Sequence, residues 1–437
     1  MLYFLVGDSP PQTVNLPLFR TAGSFHMKVS PQWVLYIAML SVGMGQSIIF
    51  AVLPMLGREL KLHELQLQLP FLHFSIEPKE LAITSLSALT ALTFSLVSPF
   101  WGRMSDRYGC KPVIIVGLLG YTLGMALFSG VAYAGLVGAV GGLSLYILLL
   151  ITRIIHASVM SAAFPASSAY MVGLVDTSHR AKGLGKLSAA NQLGIMCGPA
   201  LAYLIALNYL APFFVQSLIT LLAAILVALM LPKTKAVEKS LQQPKKLTYW
   251  DKRYRVYIGV GLVIYACLGM VQQTLGFYFQ DTLNLEGVTA AKYYSSAMVV
   301  SSGAMMFAQL FLVQRLHWRP QILLRLGLPF MMFGFLLIAV SGDLPLLLIG
   351  MALFGFGMGF TGPGFSACAS LTVAPNEQGA LAGLVGAVAG MGFVIGPLLG
   401  GFLYALDSSY PYVLAAACSG VVFIVISLRT LPGEESD

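Results

Sequence analysis

The sequence predicts an all-α integral membrane protein with twelve transmembrane helices. Of its 437 residues, 57% are hydrophobic and only 10% are charged. Soluble domains carry roughly a quarter of their residues as charges, so two or three soluble domains are excluded. Apolar runs of about twenty residues recur along the chain, and this is the length that crosses a bilayer as a helix. The alternation typical of membrane β-strands is absent from the sequence.

The predicted helices, called spans 1 to 12 below, are separated by polar loops. They lie at 33–55, 80–101, 112–132, 143–172, 187–209, 212–231, 256–280, 291–313, 322–341, 344–373, 380–405 and 411–428. A basic linker at 232–255 divides them into six-helix bundles at 33–231 and 256–429. Residues 1–32 and 430–437 are predicted to be cytoplasmic tails.

Positive charge predicts the orientation of the spans. Twenty of the 25 Lys and Arg residues fall on one side of the membrane if the amino terminus is cytoplasmic. An excess of Lys and Arg marks cytoplasmic loops. Both termini are therefore predicted to be cytoplasmic, with the bacterial inner membrane as the favoured location. The net charge of +8 is then a topology signal, and no nucleic-acid partner is expected.

The five cysteines lie mostly in apolar segments and lack CxxC or Cys/His spacing. No disulfide framework, metal site or cofactor is therefore expected.

An internal repeat relates the two bundles. A shift of 198 residues superposes Gly198 on Gly396 and Pro199 on Pro397. Matched glycines and prolines at one offset are informative because these residues set local backbone shape. Parallel repeats are typical of carriers whose halves rock about a site near the bilayer midplane.

A charged segment follows span 2 and reads GRMSDRYGCKP over residues 102–112. It resembles the loop 2–3 signature of the major facilitator superfamily, G-x-x-x-D-R-x-G-R-[KR], with Cys110 in place of an arginine. In that family the segment latches the cytoplasmic side of the outward-facing state, and its glycine permits close helix approach. The other interpretation is a charged loop that serves topology only. The resemblance implies a cytoplasmic gate at Gly102, Asp106, Arg107, Gly109 and Lys111.

Spans 5 and 11 carry glycine and proline at helix-packing spacing. They resemble the G-x-x-x-G-P-x-x-G-G motif that marks antiporters of the superfamily in span 5. Span 11 has the full pattern, whereas span 5 has Ala202 and Tyr203 in place of the last two glycines. Such glycines permit close crossing, and proline lets a helix flex. The predicted packing residues are Gly194, Gly198, Pro199, Gly392, Gly396, Pro397, Gly400 and Gly401.

The resemblance is closest to twelve-span drug/proton antiporters of the tetracycline-exporter type, over about residues 33–430. It includes the stretch from Gly45 to Pro54 in span 1, which is similar to the family's G-x(5)-P-V-x-P. The fold implied is the major facilitator fold, with two pseudo-symmetric six-helix bundles.

Three ionisable residues are candidates for handling substrate or protons. Arg153 lies inside span 4, where an arginine costs about 2.5–3.5 kcal/mol, so it should face a cavity or a partner. Proton antiporters of this group commonly keep an acid in span 1, but none of the seventeen acids lies deep in a span. His156 is the intramembrane residue that ordinarily titrates near neutral pH. Asp281, near the outer end of span 7, is the second candidate, and a structural role stays open for Arg153 and His156.

Polar side chains in otherwise apolar spans are candidates for lining a cavity. Amides and phenols among Phe and Met suit an amphiphilic organic ligand, and Arg153 favours a neutral, zwitterionic or anionic one. The candidates are Gln46, Asn191, Gln192, Tyr265, Gln272, Gln273, Tyr278 and Gln309.

The sequence thus predicts a secondary active transporter that exports a small amphiphilic molecule by alternating access and proton antiport. It is expected to work in the lipid bilayer as a monomer and not as an enzyme. The alternatives are a siderophore or metabolite exporter or importer with an anionic substrate, and a non-transporting receptor or scaffold.

Overall fold

Twelve helices that are long and apolar enough to cross a membrane form the bulk of the computed structural model. The structure describes residues 30–65, 67–69, 74–76, 79–175, 180–232, 248–316, 318–374 and 377–428. The predicted all-α, multi-pass membrane class is therefore confirmed. Residues 1–29, 233–247 and 429–437 lie outside the described residues, and with them nearly all of the predicted tails and most of the linker.

The first six spans are six helical segments, of which the fourth is interrupted near its middle. The turn at Ser161 and Ala162 separates the two parts of span 4. The segments are Pro31–Glu59, Glu80–Tyr108, Cys110–Leu136, Gly142–Met160 with Ala163–Leu174, Arg180–Leu201 and Ala211–Met230.

The last six spans repeat this arrangement in the second half of the chain. Span 8 ends in a π-helical turn, Ala308–Val313, followed by Gln314–Leu316. The helices are Arg255–Thr282, Gly287–Phe307, Pro320–Val340, Leu344–Ser370, Gln378–Leu406 and Tyr410–Ser427.

Short elements connect some of the spans. The loop after span 1 contains a 3₁₀ turn, Leu62–Glu64, and an antiparallel hairpin of β1, Leu67–Leu69, with β2, Phe74–Ile76. A second 3₁₀ segment, Ala202–Ala206, continues span 5. The sequence did not predict the hairpin, because three-residue strands leave no readable alternation.

The boundary between spans 2 and 3 is a single residue. Both helices extend into the predicted loop and meet at Gly109, whose φ is +90°. That conformation is one that glycine adopts without a steric penalty. The charged segment is therefore mostly helical, where the sequence predicted a loop of about ten residues.

The first helix of each half packs against the fifth through glycines. A Cβ atom added at Gly194 would lie 2.0 Å from the carbonyl oxygen of Leu40 in span 1. A Cβ atom added at Gly396 would lie 2.3 Å from the carbonyl oxygen of Ala266 in span 7. These backbones touch, so only glycine fits at either position, and the two halves share this packing.

Candidate functional site

A charged cluster joins the two halves near the predicted outer face. Arg58, in the last turn of span 1, donates through Nη2 to Glu80 Oε1 and to Asp281 Oδ2, each at 2.8 Å. Its Nη1 donates to Asp281 Oδ1 and, at 3.2 Å, to Gln280 Oε1. Tyr404 of span 11 donates to Asp281 Oδ2 at 2.6 Å. Arg58 and Glu80 belong to the first half and the other three residues to the second, so we call these five residues the outer latch.

Arg58 lies in a helix, whereas the sequence analysis assigned it to an outer loop. Span 1 continues through Pro54 to Glu59, which carries the guanidinium between the halves. The Arg58 side chain is only 15% exposed, and its guanidinium carbon lies 4.9 Å from the centre of the Phe277 ring. The prediction ended span 1 at 55, close to the end of the apolar run, whereas the helix continues to Glu59.

A cleft of about 430 Å³ borders the outer latch. Its lining includes Arg58 and Asp281 together with Glu59 and His63 from the end of span 1 and the loop that follows. The Asp281 side chain is 41% exposed. Asp281 is therefore the more exposed of the two latch acids, since the Glu80 side chain is 12% exposed.

Close backbone contacts accompany the latch at the same face. A Cβ atom added at Gly401 of span 11 would lie 2.2 Å from Thr84 Oγ1 and 2.9 Å from Leu81 Cα, both in span 2. One added at Gly276 of span 7 would lie 2.9 Å from Pro54 Cβ in span 1. Each contact crosses from one half to the other, so the halves are in van der Waals contact here.

Spans 5 and 8 meet at this face through hydroxyl groups. Tyr203, which replaces a glycine of the motif in span 5, hydrogen-bonds the Ser296 hydroxyl. Nearby, Tyr209 donates to Glu59 Oε2 at 3.2 Å. Burial, with Glu59 and Glu286 as neighbours, raises the pKa of Tyr209 to about 12, so this phenol stays protonated as a donor.

The predicted cytoplasmic gate is exposed in this conformation. Asp106 and Arg107 are both exposed, and a Cβ atom added at Gly102 would meet nothing within 4 Å. The close helix approach expected at Gly102 is therefore not made here. Lys111 donates to the carbonyl of Ala228 at 2.8 Å, which joins span 3 to span 6 inside the first half.

An ion-pair cluster near the predicted inner face ties the end of the linker to the second half. Arg253 donates to Asp251 Oδ2 and to Glu377 Oε2, each at 2.8 Å. These hydrogen bonds hold the pKa of Asp251 below its ordinary value and that of Arg253 above its own. These contacts fix the residues just before span 7 to the segment before span 11.

Arg153 and His156 are buried inside the first half. They are 3% and 1% exposed, and Arg153 donates to His156 Nδ1 at 3.2 Å. The guanidinium carbon lies 5.5 Å from the centre of the Phe128 ring, and the His156 ring packs edge-on against Tyr121 at 4.7 Å. The structure thus brings together two of the predicted residues, but among aromatic rings and not on an open cavity.

The contact with Arg153 constrains the His156 ring. Because an arginine can only donate, the hydrogen bond requires Nδ1 to accept, which a ring with its proton on Nε2 can do. A doubly protonated ring would lose the Arg153 hydrogen bond and place two positive charges side by side. The arrangement favours the structural alternative for both residues.

An aromatic row near the middle of the membrane connects the halves. Phe50 of span 1 stacks on Phe393 of span 11 with 6.0 Å between ring centres, and Phe393 lies 6.1 Å from Tyr265 of span 7. All three are half-buried, as is Gln46, one helical turn before Phe50. We call these four residues the midplane row. Sequence reasoning missed Phe50 and Phe393 because aromatic residues are common in apolar spans.

The remaining cavity candidates divide into structural and accessible groups. Asn191 donates to the Met39 carbonyl at 3.2 Å and Tyr278 to the Ala339 carbonyl at 3.2 Å, which are helix-to-helix bonds. Gln273 is fully buried, and neither its amide nitrogen nor its amide oxygen has a hydrogen-bond partner in the described part of the chain. The candidates whose side chains remain exposed or half-buried are Gln192, Gln272 and Gln309.

Comparison with known proteins finds the same architecture. The family model of the Major Facilitator Superfamily matches residues 35–388 and 326–437. Multidrug resistance protein 2 of Bacillus subtilis (strain 168) is 29% identical over 356 residues, 78% of this chain and 83% of the relative. Quinolone resistance protein NorA of Staphylococcus aureus (strain MSSA476) is 23% identical over 411 residues, 90% and 95% of the two chains.

Solved structures share the fold at low sequence identity. A crystal structure of the human organic anion transporter MFSD10 (TETRAN) superposes with a TM-score of 0.62 at 16% identity, covering 90% of this chain and 98% of the other. The nucleoside transporter NupG gives a TM-score of 0.69 at 11% identity, with coverage of 91% and 99%.

Proposed function

Because the chain belongs to the major facilitator superfamily, a family of membrane transporters and not of enzymes, we propose that it exports small amphiphilic organic molecules by alternating access in exchange for protons. The relatives named for multidrug and quinolone resistance support export of this substrate class. One chain contains both halves of the path, so we propose that it acts as a monomer.

The main support for alternating access is the contrast between the outer and inner faces. At the predicted outer face Arg58 and Asp281 join the halves, and Gly401 touches span 2. At the predicted inner face Asp106 is exposed and Gly102 has open space beside it. This is the arrangement of a carrier closed to the outside, and the inner segment becomes a latch when the halves rock the other way.

The midplane row supports an amphiphilic substrate. Phe50 and Phe393 come from opposite halves, so a molecule held between them would contact both halves and sense their movement. The amide of Gln46 and the phenol of Tyr265 supply hydrogen bonds for a polar end group. Aromatic faces also attract organic cations.

Arg153 does not act as a charge selector in this proposal. Its guanidinium is occupied by His156 and Phe128 within one half. The preference for neutral or anionic substrates expected from a cavity-facing arginine is therefore not part of the proposal, and cationic amphiphiles are included.

The proton gradient is sufficient for such export. A proton crossing ~100 mV releases about 2.3 kcal/mol, and one pH unit adds about 1.4 kcal/mol. Together these support a roughly 400-fold gradient of a neutral solute, since each 1.4 kcal/mol is tenfold.

The test is transport in proteoliposomes with an imposed pH gradient. Cationic, neutral and anionic amphiphiles of similar size should be compared with polycarboxylate siderophore mimics, with protein-free vesicles as the blank. We expect gradient-driven movement of the cationic and neutral amphiphiles, lost in Phe50→Ala. The matched control Phe307→Ala removes an exposed phenylalanine of span 8 and should retain transport.

Movement of the polycarboxylates alone would favour the siderophore or metabolite alternative. Uptake that ignores the pH gradient would contradict proton antiport. Binding without movement of any compound would favour the receptor.

A further inference from the structure

We propose that the side-chain amide of Gln273 in span 7 opposes closure of the outer face, because water reaches this amide only when that face is open. The inference rests on the proposed function, from which it takes alternating access, and adds a residue that helps the carrier to reopen. Gln273 is 0% exposed in this conformation, and neither its amide nitrogen nor its amide oxygen has a hydrogen-bond partner in the described part of the chain.

Helical spacing directs the Gln273 side chain toward the first half. Gly276 and Gln280 lie three and seven residues further along span 7, so they share a face of the helix with Gln273. A Cβ atom added at Gly276 would lie 2.9 Å from Pro54 Cβ in span 1. Gln280 Oε1 accepts a hydrogen bond from Arg58 Nη1 at 3.2 Å. This face of span 7 therefore packs against span 1 across the boundary between the halves.

Gln273 lies between two layers of contact that close the path. On its inner side, a Cβ atom added at Gly269 would lie 3.2 Å from Phe393 Cδ1, and the Phe393 ring stacks on Phe50. On its outer side are the contact of Gly276 with span 1 and the outer latch. Separation of spans 1 and 7 at the outer face removes the outer layer and admits water to the amide.

A second buried amide shows what distinguishes Gln273. Gln216 of span 6 is also 0% exposed, but its Nε2 donates to the Ser41 carbonyl at 2.7 Å and to Thr220 Oγ1 at 3.0 Å, all within the first half. Among the buried amide side chains of the described residues, Gln273 is the one with both atoms unpaired. A buried polar group without a partner costs its full desolvation free energy. Because Gln273 faces the other half, it incurs this cost only while the outer face is closed.

This cost acts against the outer latch. The charge-assisted bonds between Arg58 and Asp281 favour the closed outer face, and an alternating-access carrier must leave that state in every cycle. An unpaired amide behind the latch raises the free energy of the closed state and so increases the outer-open fraction. Removing the amide while keeping the shape of the side chain should hold the outer face closed.

The test measures opening of the outer face and does not require transport. Spin labels are attached at Leu207→Cys and Leu406→Cys, exposed positions near the outer ends of spans 5 and 11, in a full-length chain whose native cysteines are replaced. Double electron–electron resonance in lipid nanodiscs at about pH 8, where carboxyl groups ordinarily ionise, gives the ratio of open to closed molecules. The parent chain and all variants carry Asp281→Asn, which removes the charge-assisted bond between the halves and populates the open state, so that a decrease is measurable.

The main variant is Gln273→Met, because methionine is similar in length and lacks the amide. We expect the ratio of open to closed molecules to fall by roughly 5–150-fold, the range that corresponds to relief of one unpaired buried polar group. The matched control is Gln272→Met at the half-buried neighbouring position, which should leave the ratio unchanged. Gln273→Glu introduces a carboxylate that costs more to bury than an amide, so it should raise the ratio.

Opposite shifts at one position separate this role from a general packing defect. An unchanged ratio in Gln273→Met would show that the amide is satisfied while the outer face is closed, and this would overturn the proposal. A fall of the same size in Gln272→Met, or a lower ratio in Gln273→Glu, would do the same.

The failure of the proposed function gives a different result. If Gln273→Met closes the outer face but no amphiphile moves in proteoliposomes, the substrate assignment is wrong and the role of Gln273 stands. If amphiphiles move with the pH gradient while the ratio is the same in Gln273→Met and its parent, the role of Gln273 is wrong and the function stands.

Discussion

The two faces of this transporter use glycine for opposite purposes in one conformation. At the predicted outer face Gly401 lies against the backbone of span 2, and a side chain there would collide with Leu81. At the predicted inner face Gly102 has no neighbour within 4 Å of an added Cβ atom. We expect Gly102 to make its close contact in the other state, because it lies in the segment predicted to close the inner face.

The largest expected effect on transport comes from replacing each of these two glycines, in separate variants, with a bulky side chain. Gly401→Leu should prevent closure of the outer face, and Gly102→Leu should prevent closure of the inner face. Overpacking costs about 1–3 kcal/mol, enough to shift a two-state equilibrium by roughly 5–150-fold. Both variants should lose transport.

Spin labels at Leu207→Cys and Leu406→Cys, exposed positions near the outer ends of spans 5 and 11, separate the two variants through the distance between them. It should be long in Gly401→Leu and short in Gly102→Leu at every pH. If both variants gave the same distance, the contrast drawn between the two faces would be wrong.

A smaller effect is expected from Tyr404→Phe, which removes the hydroxyl that donates to Asp281 at 2.6 Å but keeps the ring. Hydrogen bonds to charged groups contribute about 1.5–3 kcal/mol, and partial exposure of this acid places the loss near the lower value. The outer-open population should rise roughly tenfold. Double electron–electron resonance between the labels at positions 207 and 406, at about pH 8, measures this population. Tyr410→Phe, at an exposed position, is the matched control.

A still smaller effect is expected from Tyr203→Phe, which removes the hydrogen bond to Ser296 between spans 5 and 8. A neutral hydrogen bond contributes about 0.5–1.5 kcal/mol, and this one is exposed. We expect a slightly larger outer-open population and transport reduced by less than about fivefold. A complete loss of transport would show that this contact is more than a minor part of the outer closure.

The smallest effect is expected at the inner cluster of Arg253. Because the pKa of Asp251 is lowered, its contribution is present above its ordinary value near 4 and is lost only as pH falls through the lowered value. The cluster should therefore stay intact between about pH 8 and pH 5. Spin labels at exposed Trp250→Cys and Leu371→Cys should report an unchanged distance, and a shift would contradict this.

The fold was largely readable from the sequence because the bilayer imposes a length on each apolar run. The predicted start and end of span 7, 256 and 280, differ by one and two residues from the helix Arg255–Thr282. The errors occur where polar residues continue a helix beyond the lipid core, as at Arg58 and through residues 102–108. Hydropathy indicates whether a residue lies in lipid or in water, and not whether its backbone is helical.

The candidate site was less predictable for a physical reason. Sequence shows which spans carry Arg153 and Asp281, but not the direction in which each side chain points. Asp281 faces the boundary between the halves, whereas Arg153 faces the interior of one half. Phe50 and Phe393 are ordinary residues in their own spans, and only the approach of the halves makes them a pair.

The burial of Arg153 has an electrical consequence. A charge moved across a membrane potential of 100 mV gains or loses about 2.3 kcal/mol, in proportion to the fraction of the field it crosses. Arg153 is held by Phe128 and His156 of its own half, so it travels only as far as that half rotates. We therefore expect Arg153 to contribute little gating charge. Under the proposed proton antiport, Arg153→Gln should then leave the voltage dependence of turnover unchanged.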